Sequence, residues 1–294
     1  MTQVQLSEEQ IKQILQGIVI PPQPQIMVDL QMEQVYPEPS IDRIADLIKQ
    51  DVGLSGTILK IVNSPLYGLS NKIQSIHQAV MLLGLNTVSN IVNGLSIKGE
   101  LNDSDIIELN RFWDTAMDIA IVSASIAKQV GYSCPEEAYN LGLFHNVGIP
   151  LMYKRFDDYF TVLQEAYAGQ HARVIDRENE VFKTNHAVVG YYCARSWNQP
   201  THIAAAIADH HNVRHLFEAR GHSTKQANSL VLLAILKMAE HMCGNYAIIG
   251  HQDTDHEWED IRDLVLDMLG LSPYDLETMK VIFDEQGINM KYCY

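Results

Sequence analysis

Eleven of the twelve histidines in this 294-residue chain lie from His145 onward, and the spacing of some of them could do chemistry. Gly142-Leu143-Phe144-His145-Asn146-Val147-Gly148 places one histidine inside an apolar helix. His186 stands four residues before Gly190, among Ala187, Val188 and Val189. Asp209-His210-His211 closes an apolar stretch that contains Ile203, Ala204, Ala205, Ile207 and Ala208. Glu240 shares a helical face with Leu233, Leu236 and Cys243. Imidazole and carboxylate ligands suit iron, manganese, zinc or nickel. Such an ion polarises a phosphoryl oxygen and lowers the pKa of bound water. The plainer reading of a lone histidine on an apolar face is a core residue with its polar atoms satisfied. A carboxylate on such a face needs a histidine, a metal, or a position at the edge of the stripe. Adjacent residues on a helix point about 100° apart, so His210 and His211 are expected to reach one pocket only at its edge.

Other chemistries find no support. The chain has no nucleophile elbow, P-loop, dinucleotide fingerprint, H-E-x-x-H or EF-hand pattern. Its formal net charge is −15, which repels phosphate backbones and argues against nucleic acid as a partner. Residues 251–294 hold 3 basic and 11 acidic side chains, a net −8, and are expected to be a solvated face. Cys134, Cys193, Cys243 and Cys293 show no C-x-x-C spacing, so free thiols in a reducing compartment are expected. The N-terminus lacks a signal-peptide pattern and the longest apolar runs have about seven residues, against the ~20 of a membrane span. A cytoplasmic protein without membrane contact is the expectation.

The elements that must position these side chains are helices. Strand signals are nearly absent. Ser7-Glu8-Glu9-Gln10 is a capping box, and Val19-Ile20-Pro21-Pro22-Gln23-Pro24 is a stiff connector. Helices are expected over 25–35, 40–50 with Ser40 as cap, 54–63, and 75–83 with 85–96, broken at Gly84. Ser64-Pro65-Leu66-Tyr67-Gly68 reads as a turn. The polar stretch 100–104 is a candidate lobe boundary. A long helix follows from Ile106 to Gly131. Ser133-Cys134-Pro135-Glu136 reads as a second capping box, opening a helix over 135–152. Further helices are expected at 156–168, 172–180, 184–196, 200–211, 225–243, 257–269 and 273–286. The division is then 1–104, an N-terminal helical lobe; 105–245, a second helical lobe; and 246–294, an acidic helical extension.

In this order, DVGLSGTILKIVNSPLYG (51–68), HQAVMLLGLNTV (77–88), Phe112-Trp113, GLFHNVGIPLM (142–152), His186-Ala-Val-Val-Gly190, Trp197-Asn-Gln-Pro200 and His210-His211 resemble the bacterial HDOD domain family. The resemblance covers roughly 15–245. It implies an all-α, multi-helix HD-like fold, related to metal-dependent phosphohydrolases, in a family regarded as a signalling output module.

Carried over position by position, the HD pair falls on His145 and Asn146, so its aspartate has become an amide. The first histidine of the parent superfamily falls near Thr115 and is missing. Later family histidines fall on His186, His210 and His211, and the closing aspartate falls on Glu240. His145, His186, His210, His211 and Glu240 are thus the candidate vestigial metal ligands. The resemblance implies a degenerate site with no catalytic residue and no required cofactor, holding at most one divalent ion (Fe, Mn, Zn or Ni) at low occupancy. The expected function is a regulatory protein acting by contact with signalling proteins or by binding a small ligand. The rival is a metal-dependent phosphohydrolase acting on a nucleotide or cyclic dinucleotide. No receiver, cyclase or DNA-binding segment is expected in 245–294, so partners would be separate proteins.

Overall fold

The computed structural model describes residues 7–63, 67, 69, 71–96, 109–219 and 224–285. Helices form where an apolar stripe can be buried, and several begin at a side-chain cap or a proline. Ser7 caps α1 (Glu8–Leu15) in the expected capping box. An extended proline-rich connector leads to α2 (Gln25–Val35). Ser40 caps α3 (Ile41–Lys49), which buries Ile44, Ala45 and Ile48. Asp51 caps α4 (Val52–Val62). The helix α5 (Ile76–Ser96) is kinked at Gly84, whose φ of 75° and ψ of 161° leave the helical region. These helices pack mainly on one another, with α2, α3 and α4 around α5. Most of the Ser64–Gly68 turn and the 100–104 stretch lie outside the described residues.

The second group begins with α6 (Asn110–Gln129) and α7 (Pro135–Phe144). Here two expectations fail. Cys134, not Ser133, is the cap residue of α7, and no side chain caps it. Proline in the first turn already removes one orphan donor, so the start does not need a box. The expected helix over 135–152 is two helices, α7 and α8 (Gly148–Arg155), separated by His145-Asn146-Val147.

Then follow α9 (Tyr159–Tyr167), α10 (Val174–Phe182), α11 (His186–Ser196) and α12 (Thr201–Asp209). A short α13 (Val213–Glu218) and a one-turn α15 (Asn245–Ile248) flank α14 (Thr224–Met242). The sequence pattern did not single out α13 or α15. The chain continues with α16 (His256–Leu269) and α17 (Pro273–Glu285). The described residues contain no strand, so the fold is all-α.

In this group α6 runs along α7 and against α14, while α8 and α12 flank α11. Trp197, Tyr139, Tyr159, Phe144 and Phe217 fill its core. The indole of Trp197 donates to the Pro21 carbonyl at 2.9 Å and ties the connector to this core. The acidic C-terminal segment is not the solvated face its charge suggests. α16 lies along α14 and buries Trp258, Ile261, Val265, Leu266 and Leu269, with its acids other than Glu257 exposed. Among the described residues no helix is long and apolar enough to cross a membrane.

Candidate metal centre

Three helix ends and the last turn of a fourth helix bring the candidate residues together. His145 is the C-terminal cap of α7. There the chain breaks because two glycines let backbones touch. A Cβ on Gly142 would lie 2.8 Å from the Ala120 Cα, and one on Gly148 would lie 2.0 Å from the His186 carbonyl oxygen. Asn185 caps α11 by accepting from the Val188 amide, which sets His186 in the first turn. α12 stops at Asp209, so His210 is its cap and His211 lies in the turn beyond. The helical 100° step therefore does not separate them. Their rings lie 4.1 Å apart and both enter the pocket fully, contrary to the expectation from periodicity. Glu240 projects from the last turn of α14. His145, His186, His210, His211 and Glu240 are all buried.

The hydrogen bonds fix the tautomers. His145 Nδ1 is 2.7 Å from the Gly142 carbonyl and His210 Nδ1 is 2.7 Å from the Ile207 carbonyl. A carbonyl oxygen only accepts, so both Nδ1 atoms carry the proton. His186 Nδ1 faces Glu178 Oε2 at 2.7 Å, and His211 Nδ1 faces Glu257 Oε1 at 2.8 Å. In the neutral ring all four Nε2 atoms then present lone pairs to the interior. His186 Nε2 is 3.3 Å from His210 Nε2 and 3.2 Å from His211 Nε2. His145 Nε2 is 3.3 Å from Glu240 Oε1, without the alignment of a hydrogen bond. Lone pairs this close repel unless a proton or a metal ion lies among them.

The spacing fits a metal. Two nitrogens about 2.0–2.1 Å from one tetrahedral ion are roughly 3.3 Å apart. Among the described residues, His186, His210 and His211 are the three whose ligand atoms all lie within 4.8 Å of one another. His145 and Glu240 adjoin them: the His145 and His210 rings are 5.4 Å apart. Donating Nδ1–H to a carbonyl or carboxylate is how metal-binding imidazoles are oriented. The residues present therefore fit one divalent ion.

Around them lies a buried charged shell that the sequence reading did not single out. Glu178, from α10, also accepts from the Tyr159 hydroxyl at 2.6 Å. Lys237, one turn before Glu240 on α14, places Nζ 2.7 Å from Glu240 Oε2 and 2.7 Å from Glu257 Oε2. Asn245 donates to Glu240 Oε1 at 3.2 Å. Two of these residues left a trace in the sequence. Glu178 shares a stripe with Val174, Ile175 and Phe182, and Lys237 interrupts an apolar run three residues before Glu240. Glu257 left none, because it sits among surface acids.

Electrostatics follow this geometry. Burial, then the neighbouring imidazoles His211 and His186, hold the His210 pKa well below the usual histidine value. Burial also lowers that of His211, against the pull of Glu257. Burial opposes ionisation of Glu240, but Lys237 and His145 outweigh it and keep the carboxyl well below its usual range. The same holds for Glu257 beside His211 and Lys237. Lys237 stays charged because the two carboxylates outweigh its burial.

Asn146, where the resemblance places the aspartate of the HD pair, is buried, and among the described residues its amide nitrogen and oxygen have no hydrogen-bond partner. Thr115, where the first superfamily histidine would fall, is buried on α6. The void that borders Lys237, Glu240 and Glu257 measures about 10 Å³, enough for roughly one water.

Comparison with known proteins agrees with this architecture. A protein of uncharacterised function from Treponema pallidum is 27 % identical over 197 residues, 67 % of this chain and 38 % of its own length. The chain thus spans well under half of that relative. An HDOD domain protein of unknown function from Geobacter sulfurreducens superposes with a TM-score of 0.64 at 23 % identity, covering 95 % of this chain and 94 % of its own. A candidate metal-dependent phosphohydrolase from Shewanella amazonensis superposes with a TM-score of 0.68 at 17 % identity, covering 97 % and 96 %. The HDOD domain profile matches residues 20–213, about two thirds of the sequence. With a helical core of this topology around a convergent histidine cluster, the chain belongs to the HDOD domain family.

Proposed function

We propose that this chain is a non-catalytic HDOD regulatory protein that acts through contact with signalling proteins or a small ligand. Its HD-like pocket serves as a sealed structural centre with room for one metal ion. The observation that carries this reading is closure at the altered ligand. His145, His186 and His210 are 0 % exposed, His211 and Asn146 are 2 % exposed, and the adjoining void holds about 10 Å³. A phosphoester cannot approach the imidazole nitrogens without displacing core side chains. Asn146 offers a neutral oxygen where hydrolytic relatives are expected to hold an anionic one.

His186, His210 and His211, with His145 and Glu240 beside them, are the residues that would hold an ion. When bound, that ion supplies Lewis-acid polarisation and acidifies a coordinated water. The protein's own groups orient the ligands: Glu178 turns the His186 ring, Glu257 turns the His211 ring, and the Gly142 and Ile207 carbonyls turn His145 and His210. A catalytic site also needs an open position for substrate and a positioned base. The buried arrangement supplies neither on the described residues.

The converging lone pairs favour metal binding, which the rival phosphohydrolase reading shares. The test is turnover. The purified chain, supplied in turn with Mn²⁺, Fe²⁺, Ni²⁺ and Zn²⁺, is expected to leave p-nitrophenyl phosphate, bis-p-nitrophenyl phosphate and a cyclic dinucleotide at the rate of the metal alone. Turnover that disappears in His145→Ala would overturn the non-catalytic reading.

A further inference from the structure

We infer that the Lys237 ammonium is a built-in counter-ion that limits the pocket to a single divalent metal ion. The inference rests on the reading of the pocket as metal-competent and adds the group that holds its stoichiometry at one.

The buried charges set the number. Glu178 is a fully buried carboxylate, Glu240 is 5 % exposed, and Glu257 is partly buried, with its side chain 18 % exposed. Lys237 is the one ammonium among them, 3 % exposed and 2.7 Å from both Glu240 and Glu257. The four imidazoles, each donating through Nδ1, enter as neutral ligands. Nearby Asp255 is taken up separately, by His241 Nδ1 at 2.9 Å and by the Trp258 amide at 3.0 Å. Glu240 and Glu257 already share the ammonium, and Glu178 is turned to the His186 Nδ1. Buried charge is tolerated only when paired, so a second divalent ion would add positive charge with no free carboxylate to meet it.

Position reinforces the count. Two neighbouring cations in one site need an anionic group between them. The aspartate of the HD pair is Asn146 here, and its neutral amide cannot serve. Glu240 has Oε2 against the ammonium, while Oε1 accepts from Asn245 and faces His145. A second ion at Glu240 would therefore lie within a few ångströms of a fixed positive charge with no anion to spare. Lys237 reaches both carboxylates because it lies one helical turn from Glu240, on the face of α14 that α16 covers. The same ammonium joins the two helices and occupies the role of an ion.

Cobalt(II) alone is the probe, since its visible absorption reports nitrogen and oxygen ligation without any turnover. The metal-stripped chain is incubated with Co²⁺, passed through gel filtration and assayed for retained metal, with circular dichroism confirming the fold. Wild type is expected to retain one ion per chain, and Lys237→Met two. The double variant Lys237→Met/Glu257→Gln, which removes the ammonium together with one of its carboxylates, is expected to retain one. Two ions in the wild type overturn the assignment with no variant needed. One ion in folded Lys237→Met overturns it too, while leaving the metal-competent reading intact. Wild type that retains none overturns both. A wild-type ion that persists in His210→Ala does the same, because it then lies outside the pocket.

Discussion

At the scale of single residues, side chains outside the ligand set orient the pocket. Glu178 holds His186 by its ring at 2.7 Å and its backbone amide at 3.3 Å, and is itself held by Tyr159. Orienting partners of this kind typically change metal affinity by about 10–100-fold when altered. Glu178→Gln is therefore expected to weaken Co²⁺ binding by about that factor, read by competition with a chelator of known strength. Unchanged affinity would mean that the His186 orientation needs no anion. Asp118, on α6, illustrates the opposite case, a charge without enough compensation. Burial raises its pKa to about 6, with Lys60 only partly opposing. A carboxyl with a raised folded pKa stabilises the fold below its unfolded value and loses that contribution as pH rises through about 6. Asp118→Asn should consequently raise stability at pH 8 by roughly 1–3 kcal/mol, and the gain should vanish near pH 4. Denaturant midpoints of the two proteins across that range provide the check.

At the scale of elements, the pocket depends on where helices stop. Periodicity marks a helix through 135–152 and another through 200–211, and in each the functional histidine sits at an interruption. The stops come from packing. Gly148 starts α8 against the backbone of His186, with no space for a methyl group. Gly148→Ala forces α8 and α11 apart and is expected to cost about 3 kcal/mol or more, beyond the usual penalty of overpacking. Urea unfolding measures this directly, and a loss under about 1 kcal/mol would show that the two helices can separate freely. The caps at Ser7 and Ser40 and the kink at Gly84 were legible because they follow from local chemistry. The failed capping box at Ser133 was equally local in form, but the proline made it unnecessary.

At the scale of the whole molecule, the C-terminal helices belong to the interior. Glu257 reaches from α16 to His211 and Lys237, and Arg214 of α13 binds Asp260 of α16 at 2.6 Å. A chain ended at Gly250 would leave the His211 ring without its carboxylate and the Lys237 ammonium with Glu240 alone. Breaking a buried pair from one side costs about 3–5 kcal/mol, and the apolar face of α14 would also be uncovered. The truncated chain is expected to melt at markedly lower temperature or to be recovered as aggregate. A melting temperature equal to that of the full chain would show that α16 and α17 are an appendage.

The sequence by itself determined the all-α class, the family, most helix positions and the five candidate ligands. The class and the helices rest on local propensity and the spacing of apolar residues along one chain, the family and the ligand set on the resemblance of its motifs to HDOD domains. Tertiary structure alone decided that His210 and His211 share a pocket, that Glu178, Glu257 and Lys237 close it, and that the acidic C-terminus packs inward. Glu257 reads as one surface acid among many until α16 is laid on α14. Spacing along a helix says which residues share a face, whereas charge pairing between elements far apart in sequence depends on which faces meet.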